Sequence, residues 1–114
     1  MKYISTRGQA KELSFQEVLL SGLARDGGLY IPKKWPTMSH DDLESLVGLN
    51  YKETAVKVMT PFIGEAFSRA SFKKMVDVAY SQFNNADVCP LIEISDTHFL
   101  LELFHGPTMA FKDV

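Results

Sequence analysis

Cysteine is almost absent from this sequence, in which Cys89 is the only one among 114 residues. An internal disulfide is therefore excluded, and a reducing compartment is the simpler expectation. Long apolar runs are absent as well. The first residues, Met1 to Arg7, lack the apolar stretch of a secretory signal, and no stretch is long enough to span a bilayer. We therefore expect a cytoplasmic protein that does not bind membranes.

An excess of positive charge is also missing, since the formal net charge is -2 at pH 7. Nucleic-acid binding needs a basic surface that neutralises phosphates, so we expect no nucleic-acid partner. Hydrophobic residues make up 46% of the chain and charged residues 23%. This balance is typical of an ordinary globular domain and not of a disordered segment.

Motifs for metal ions and nucleotide phosphates are missing too. None of His40, His98 and His105 has a second ligand at the spacing of a metal pair, so we expect no metal site. The segment Asp26-Gly27-Gly28 is typical of a turn, because a dinucleotide-binding loop needs a strand before it and a helix after it. Cys89 has no cationic neighbour in sequence, and we interpret it as an inert, packed thiol.

Helix starts are the clearest local signals in the sequence. Ser14 with Glu17 and Asn50 with Glu53 have the spacing of a capping box, in which each side chain bonds the backbone N–H of the other residue. Ser39 is a further N-cap residue, followed by apolar positions at helical spacing. Four helices are predicted, over residues 14–23, 40–47, 51–62 and 69–83.

The apolar spacing also predicts which faces of the last two helices are buried. Pro61 lacks a backbone N–H and disfavours helix at Thr60, so we expect the third helix to kink or end there. The predicted buried positions are Tyr51, Ala55, Val58 and Phe62 in the third helix, and Phe72, Met75, Val76, Ala79, Tyr80 and Phe83 in the fourth.

Short apolar segments bounded by turn residues predict four strands. Asp96-Thr97 separates the last two strands as a turn, so these should form an antiparallel hairpin. The strands are predicted over residues 2–6, 29–31, 91–95 and 98–104.

The polar stretch Asn84 to Asp87 interrupts the apolar pattern and predicts a domain boundary. Residues 1–84 should form a helix-rich N-terminal domain with a small sheet. Residues 85–114 should begin a second domain with the β-hairpin. The predicted fold class is therefore α/β.

Lys112 has surroundings that favour chemistry. It follows a strand and the Gly106-Pro107 turn, and the apolar residues Met109-Ala110-Phe111 before it could desolvate its amine and lower its pKa. An ordinary surface lysine is the alternative that these residues leave open. The sequence stops at Val114, where a new helix has barely begun, so we interpret the chain as a fragment of a longer protein.

Three segments of the sequence resemble threonine synthases, in the same order and at the same spacing. Met109 stands where that family more often has leucine, a swap that conserves volume. The segments are Tyr3-Ile4-Ser5-Thr6-Arg7-Gly8, Leu23-Ala24-Arg25-Asp26-Gly27-Gly28-Leu29-Tyr30-Ile31-Pro32 and Leu101-Glu102-Leu103-Phe104-His105-Gly106-Pro107-Thr108-Met109-Ala110-Phe111-Lys112-Asp113.

The resemblance implies a pyridoxal 5'-phosphate enzyme of the tryptophan-synthase-beta-like fold, a lyase of threonine biosynthesis. Such an enzyme converts O-phospho-L-homoserine and water to L-threonine and phosphate. Residues 85–114 would then open the cofactor-binding domain. The resemblance makes Lys112 the catalytic residue that carries the cofactor.

Adjacency to Lys112 suggests roles for two further residues. Phe111 would lie near the cofactor ring, and Thr108 would face the substrate. The alternatives are core packing for Phe111 and helix capping for Thr108. The phosphate loop and most substrate-binding residues would lie beyond Val114. We therefore expect the fragment to be inactive, to lack stably bound cofactor, and to self-associate through its last strand.

Two other functions remain open. One is a threonine-synthase-like phospho-lyase that uses the same lysine but releases a keto acid. The other is a non-catalytic interaction domain, in which Lys112 is a surface residue and the last strand pairs with a partner.

Overall fold

The computed structural model describes all 114 residues and contains two small sheets, four α-helices and one 3-10 helix. This is the predicted α/β architecture, rich in helix before residue 84 and with a β-hairpin near its end. No helix has both the length and the apolar character needed to cross a bilayer. The elements are β1 (Lys2–Ser5), β2 (Leu13–Ser14), α1 (Phe15–Ser21), β3 (Tyr30–Pro32), α2 (His40–Glu44), α3 (Tyr51–Ile63), α4 (Arg69–Tyr80), β4 (Leu91–Ser95), β5 (His98–Leu101) and the 3-10 helix Phe111–Asp113.

The first sheet is antiparallel, with the strand order β2-β1-β3. Tyr3 of β1 lies opposite Leu13 on one side and Pro32 on the other. β1 and β3 confirm two predicted strands, whereas the sequence does not predict β2, because two residues are too few to show an alternation. The Tyr3 hydroxyl donates to the Phe62 carbonyl over 2.8 Å, which ties this sheet to α3.

Capping boxes begin the first three helices. In each box the side chain of the cap residue accepts the N–H three residues later, and the acidic side chain at that position accepts the N–H of the cap residue. All three cap residues and two complete boxes are predicted from the sequence. The pairs are Ser14 with Glu17, Ser39 with Asp42, and Asn50 with Glu53.

Three helices end earlier than the sequence predicts. α1 ends at Ser21 because Gly22 adopts a φ of 69°, outside the helical region. α2 ends at Glu44, where the Val47 N–H bonds back only three residues and tightens the chain into turns. α4 ends at Tyr80.

Pro61 does not end α3 at Thr60, which was one of the two outcomes expected there. The helix continues to Ile63 and is closed at Gly64. Pro61 lies in the last turn, where its missing N–H removes a single bond to the Lys57 carbonyl. Burial of the Ile63 side chain, which is 4% exposed, offsets that loss.

The core of the chain lies between α3 and α4, where Val56, Ile63, Phe72 and Val76 form one buried cluster. The two α4 positions are predicted, but α3 buries Val56 and Ile63 in place of the predicted face, and Val58 is 36% exposed. Apolar residues occur on several sides of α3, so periodicity alone does not select the buried side. Among the other predicted positions, Met75 and Ala79 are exposed, and Tyr51, Ala55, Phe62, Tyr80 and Phe83 are half-buried.

The Asp26 carboxylate organises the loops around the first sheet. It accepts hydrogen bonds from the Ser5 hydroxyl (2.7 Å) and from the backbone N–H groups of Gln9 (3.0 Å), Ala10 (2.9 Å) and Gly28 (3.0 Å). These bonds, with that from Ser5 first, hold the pKa of Asp26 below its ordinary value. One side chain therefore joins β1, the loop after it and the turn before β3. The sequence predicts the turn but not this role.

β4 and β5 form the predicted antiparallel hairpin, with Asp96-Thr97 as its turn. The second strand ends at Leu101 and not at residue 104. The Glu102 N–H still bonds the Pro90 carbonyl, but Pro90 has no N–H to donate in return, so the ladder does not continue. Every residue of both strands is exposed, so nothing in this chain covers the hairpin.

Two hydrogen bonds connect the C-terminal residues to the helical part. The Asn84 N–H donates to the His105 carbonyl over 2.9 Å, and the Tyr80 hydroxyl donates to the Val114 carbonyl over 3.0 Å. The Tyr80 ring also packs edge-on against Tyr51, with 4.9 Å between ring centroids. Burial in this contact raises the pKa of Tyr51. The C-terminal segment is therefore held against α3 and α4.

Two valines of α4 allow a matched test of the core. Val76 is 4% exposed and Val78 is 56% exposed. Val76→Ala should lower the free energy of unfolding by roughly 2 kcal/mol, because it leaves a cavity in the cluster. Val78→Ala makes the same chemical change on the surface and should stay within about 0.5 kcal/mol. Urea unfolding of the 114-residue chain measures both. Equal losses would contradict the assigned core.

The Asp26 carboxylate should make the free energy of unfolding depend on pH in the acid range. Its pKa lies below the ordinary 3.8 in the folded chain. Its contribution is therefore complete above the unfolded pKa and is lost as the pH falls through the folded pKa. Asp26→Asn points an amide group at the N–H donors, so it should lower stability near neutral pH and flatten the acid dependence. Urea titrations at several pH values test this.

The control for that titration is Asp87→Asn. Asp87 is exposed and its carboxylate accepts no hydrogen bond, so this variant should keep the acid dependence of the unaltered chain. If the Asp26→Asn chain lost stability toward low pH as steeply as the unaltered chain, Asp26 would not have the role assigned to it.

Candidate functional site

Lys112 lies in the 3-10 helix that follows the hairpin and the Gly106-Pro107 turn. Its side chain is exposed, and its Nζ lies 4.8 Å from the centroid of the Phe111 ring. None of the four ion pairs in the structure includes Lys112. The structure therefore presents a primary amine that no carboxylate neutralises, with an aromatic ring beside it.

The loop before Lys112 is closed by Asp113. One carboxylate oxygen of Asp113 accepts the Thr108 N–H over 2.8 Å, and the other accepts the Thr108 hydroxyl over 2.7 Å. The Asp113 N–H donates to the Ala110 carbonyl over 3.0 Å. The bonds from Thr108, above all that from its hydroxyl, hold the pKa of Asp113 below its ordinary value. The loop is therefore fixed by charge-assisted hydrogen bonds.

Close packing inside the loop requires glycine at position 106. Gly106 is buried, and a Cβ added to it would lie 2.8 Å from the Asp113 Cγ and closer still to other atoms of that side chain. The Met109 N–H donates to the Gly106 carbonyl over 3.1 Å, and Met109 adopts a φ of 56°. Leucine at position 109 would meet the same backbone strain as methionine. The Asp113 carboxylate thus occupies space that only a glycine leaves free.

Glu102 and His105 form a pair at the entrance to the loop. Their side chains lie 2.6 Å apart, and they are 22% and 18% exposed. The His105 ring also lies 4.7 Å from that of Phe104, centroid to centroid. His105 thus has a defined acidic partner, which the sequence analysis does not predict. The spacing of an acid and a histidine three residues apart is the signal that could have indicated the pair.

The predicted site residues Thr108, Phe111 and Lys112 lie in one loop, but their side chains have different surroundings. Phe111 lies against the Lys112 amine and is 65% exposed, so it does not pack in the core of this chain. Thr108 is exposed, and its hydroxyl proton is committed to Asp113. Sequence reasoning did not identify Asp113. The available signal was an acidic residue directly after the lysine, within reach of a threonine that follows a Gly-Pro turn.

The other candidate binding features of the chain lie away from this loop. An open groove of about 950 Å³ lies at Asp26 and includes Arg25, Lys11 and Glu17 in its lining, but not Lys112. No group of three or more His, Cys, Asp or Glu side chains is placed to hold a metal ion. The chemistry that this chain offers at the loop is therefore that of the Lys112 amine and its neighbours.

Comparison with known proteins identifies relatives along the chain. The family model described as "Threonine synthase N terminus" matches residues 2–80. Threonine synthase from Pseudomonas aeruginosa is 50% identical over 113 residues, which are 99% of this chain and 24% of the relative. Threonine synthase-like 2 from Rattus norvegicus is 37% identical and matches 100% of this chain and 24% of the relative.

Solved structures give the same result. A crystal structure of PLP-bound threonine synthase from Brucella melitensis superimposes with a TM-score of 0.96 at 51% identity, covering 100% of this chain and 25% of that one. Threonine synthase from yeast gives a TM-score of 0.89 at 37% identity, covering 98% of this chain and 23% of that one. The chain spans about a quarter of the length of the relatives it matches.

Proposed function

This chain belongs to the threonine synthase family, and we propose that it forms the N-terminal part of an enzyme that makes L-threonine. The proposed reaction converts O-phospho-L-homoserine and water to L-threonine and phosphate, with pyridoxal phosphate as cofactor. The observation that carries the proposal is the unpaired amine of Lys112 at the end of a closed loop. The single cysteine, Cys89, supports the cytoplasm as its location.

Lys112 fits the requirement of this cofactor. Its amine is primary, exposed and without an ion-pair partner, and such an amine can bond the aldehyde carbon of pyridoxal phosphate. When bound, the cofactor supplies an electron sink for the substrate carbons. The Lys112 Nζ can take up or return a proton at a substrate carbon. Lys112 is therefore both the proposed cofactor-holding residue and the proposed acid–base residue.

Phe111 and Thr108 are proposed as its neighbours in the site. The Phe111 ring shields one side of the Lys112 amine, so the amine is open to a ligand from the other side. The Thr108 oxygen donates its proton to Asp113 but keeps lone pairs that can accept a hydrogen bond from a substrate. We propose that Phe111 lies on the cofactor side and Thr108 on the substrate side.

The exposed hairpin supports a division into two domains. Residues 1–84 contain the buried cluster of the chain, whereas in residues 85–114 both strands are exposed on both faces. A strand that is apolar on both faces is normally covered on both faces. We propose that residues 85–114 begin the cofactor-binding domain and that further parts of that domain cover the hairpin.

The same exposure favours self-association of the chain by itself. Leu91, Ile94 and Phe99 are each more than half exposed, and both edges of the two-stranded sheet lack a neighbour. Open edges with apolar side chains pair readily with another chain. Sedimentation at increasing concentration tests this pairing, and a monomer at every concentration would contradict it.

Replacement of Lys112 tests the proposed role in the complete enzyme. Lys112→Ala removes the only proposed bond to the cofactor aldehyde, so the visible absorbance of the lysine-bound cofactor should vanish and turnover should fall by orders of magnitude. Lys74→Ala, which removes an exposed lysine of α4, should change neither. If the Lys112→Ala enzyme retained that absorbance, the assignment of Lys112 would be wrong.

The 114-residue chain alone should neither turn over substrate nor hold pyridoxal phosphate stably. A single bond between an exposed amine and an aldehyde hydrolyses readily in water, and this chain offers few other contacts near Lys112. Absorbance titration followed by borohydride reduction measures binding. A saturable adduct at Lys112 with micromolar affinity would contradict the expectation and would indicate that more of the cofactor site lies within these residues.

A phospho-lyase that releases a keto acid is the second candidate. The observation in its favour is the 37% identity to threonine synthase-like 2 from Rattus norvegicus, against which stands the 50% identity to threonine synthase from Pseudomonas aeruginosa. Both reactions would use the same lysine, so only the products distinguish them. Incubation of the complete enzyme with O-phospho-L-homoserine should yield L-threonine, and a keto acid product would favour the second candidate.

A further inference from the structure

Asp113 and Lys112 are neighbours of opposite charge that do not pair. The Lys112 amine extends into solvent beside Phe111, whereas the Asp113 carboxylate turns into the loop and is half-buried. Both oxygens of that carboxylate are occupied by Thr108. The bonds to Thr108 therefore keep the acid away from the amine that the proposed function requires to be free.

The surrounding loop is built to accept this carboxylate. Gly106 leaves the space that the Asp113 side chain fills, and any larger residue at position 106 would collide with it. The Met109 N–H bonds the Gly106 carbonyl, and the Asp113 N–H bonds the Ala110 carbonyl. The Asp113 carboxylate and these two backbone hydrogen bonds thus make the loop compact, and the loop ends beside Lys112.

We propose that Asp113 is a positioning residue, which locks the loop through Thr108 and so presents the Lys112 amine unpaired and in one orientation to pyridoxal phosphate. This inference rests on the proposed function. Released from Thr108, the Asp113 carboxylate could approach the Lys112 ammonium, and the loop would sample several conformations. Both effects weaken cofactor binding, because the amine would have to be freed and reoriented each time.

The test compares variants of the complete, cofactor-free protein. Asp113→Asn replaces one acceptor oxygen with a donor that faces Thr108. Hydrogen exchange of the Thr108 amide should then accelerate about tenfold or more, as expected for the loss of a charge-assisted hydrogen bond. The apparent dissociation constant for pyridoxal phosphate, from its visible absorbance, should rise by about tenfold.

Two replacements of Thr108 separate its hydroxyl from its volume. Thr108→Ser keeps both donors and should stay within about twofold of the unaltered protein in exchange and in cofactor affinity. Thr108→Val keeps the shape and the N–H but removes the hydroxyl, so it should weaken cofactor binding. Because its shape is conserved, Thr108→Val also serves if Asp113→Asn does not fold.

Asp42→Asn is the matched control for a purely structural effect. Asp42 accepts the N–H and the hydroxyl of Ser39 over 2.8 and 2.7 Å, the same distances that Asp113 makes to Thr108. Asp42→Asn should lower thermal stability while leaving Thr108 exchange and cofactor affinity unchanged.

Two results would overturn the inference. One is cofactor affinity in Asp113→Asn and Thr108→Val that equals that of the unaltered protein. The other is an equal loss of affinity in Asp42→Asn, which would assign the effect to general stability. Failure of the proposed function itself would give a different result, because the unaltered protein would then form no borohydride-trapped adduct at Lys112. That result would also overturn the cofactor part of the inference.

Discussion

The hydrogen bonds of the Asp26 carboxylate are the constraint on which the first third of the structure depends. They bind the Ser5 hydroxyl and three backbone N–H groups from two separate loops. Without the carboxylate, these donors would have to form their hydrogen bonds with water, and the two loops would no longer share an acceptor. The approach is so close that a Cβ at Gly28 would lie 3.1 Å from the Arg7 nitrogen and closer still to Ser5. These contacts lie beside the pair Ser5 and Tyr30 of β1 and β3, and β1 in turn carries the Tyr3 bond to α3.

The same chemistry recurs at the far end of the chain with a different consequence. At Ser39 and Asp42 a hydroxyl, an N–H and a carboxylate begin a helix. At Thr108 and Asp113 the same groups close a loop that contains no regular helix before Lys112. The same hydrogen-bonding motif therefore begins a helix at Ser39, whereas at Thr108 it holds the loop of the proposed cofactor lysine. The difference arises from the neighbouring residues: Asp113 directly follows Lys112, whose amine has no ion-pair partner, whereas Asp42 lies at an ordinary helix start.

Buried apolar surface is distributed unevenly along the chain. The helical part has its own cluster between α3 and α4, and the bonds of Tyr80 and Asn84 hold the C-terminal loop against it. The hairpin has no buried residue, although most of its side chains are apolar. Hydrophobic burial therefore stabilises the packing of α3 on α4, whereas β4 and β5 are held together within this chain by their backbone ladder.

The sequence by itself determined the features that depend on neighbours in the chain. Capping boxes at Ser14 and Asn50 and the hairpin turn at Asp96 were predictable, because their hydrogen bonds join residues a few positions apart. The resemblance likewise singled out Lys112 from its contiguous motif. Only the tertiary structure decided the buried face of α3, the four partners of Asp26 and the lock between Asp113 and Thr108. The first two depend on which distant segments meet. The third joins residues five positions apart and depends on the direction of their side chains, which the spacing of residues along the chain does not encode.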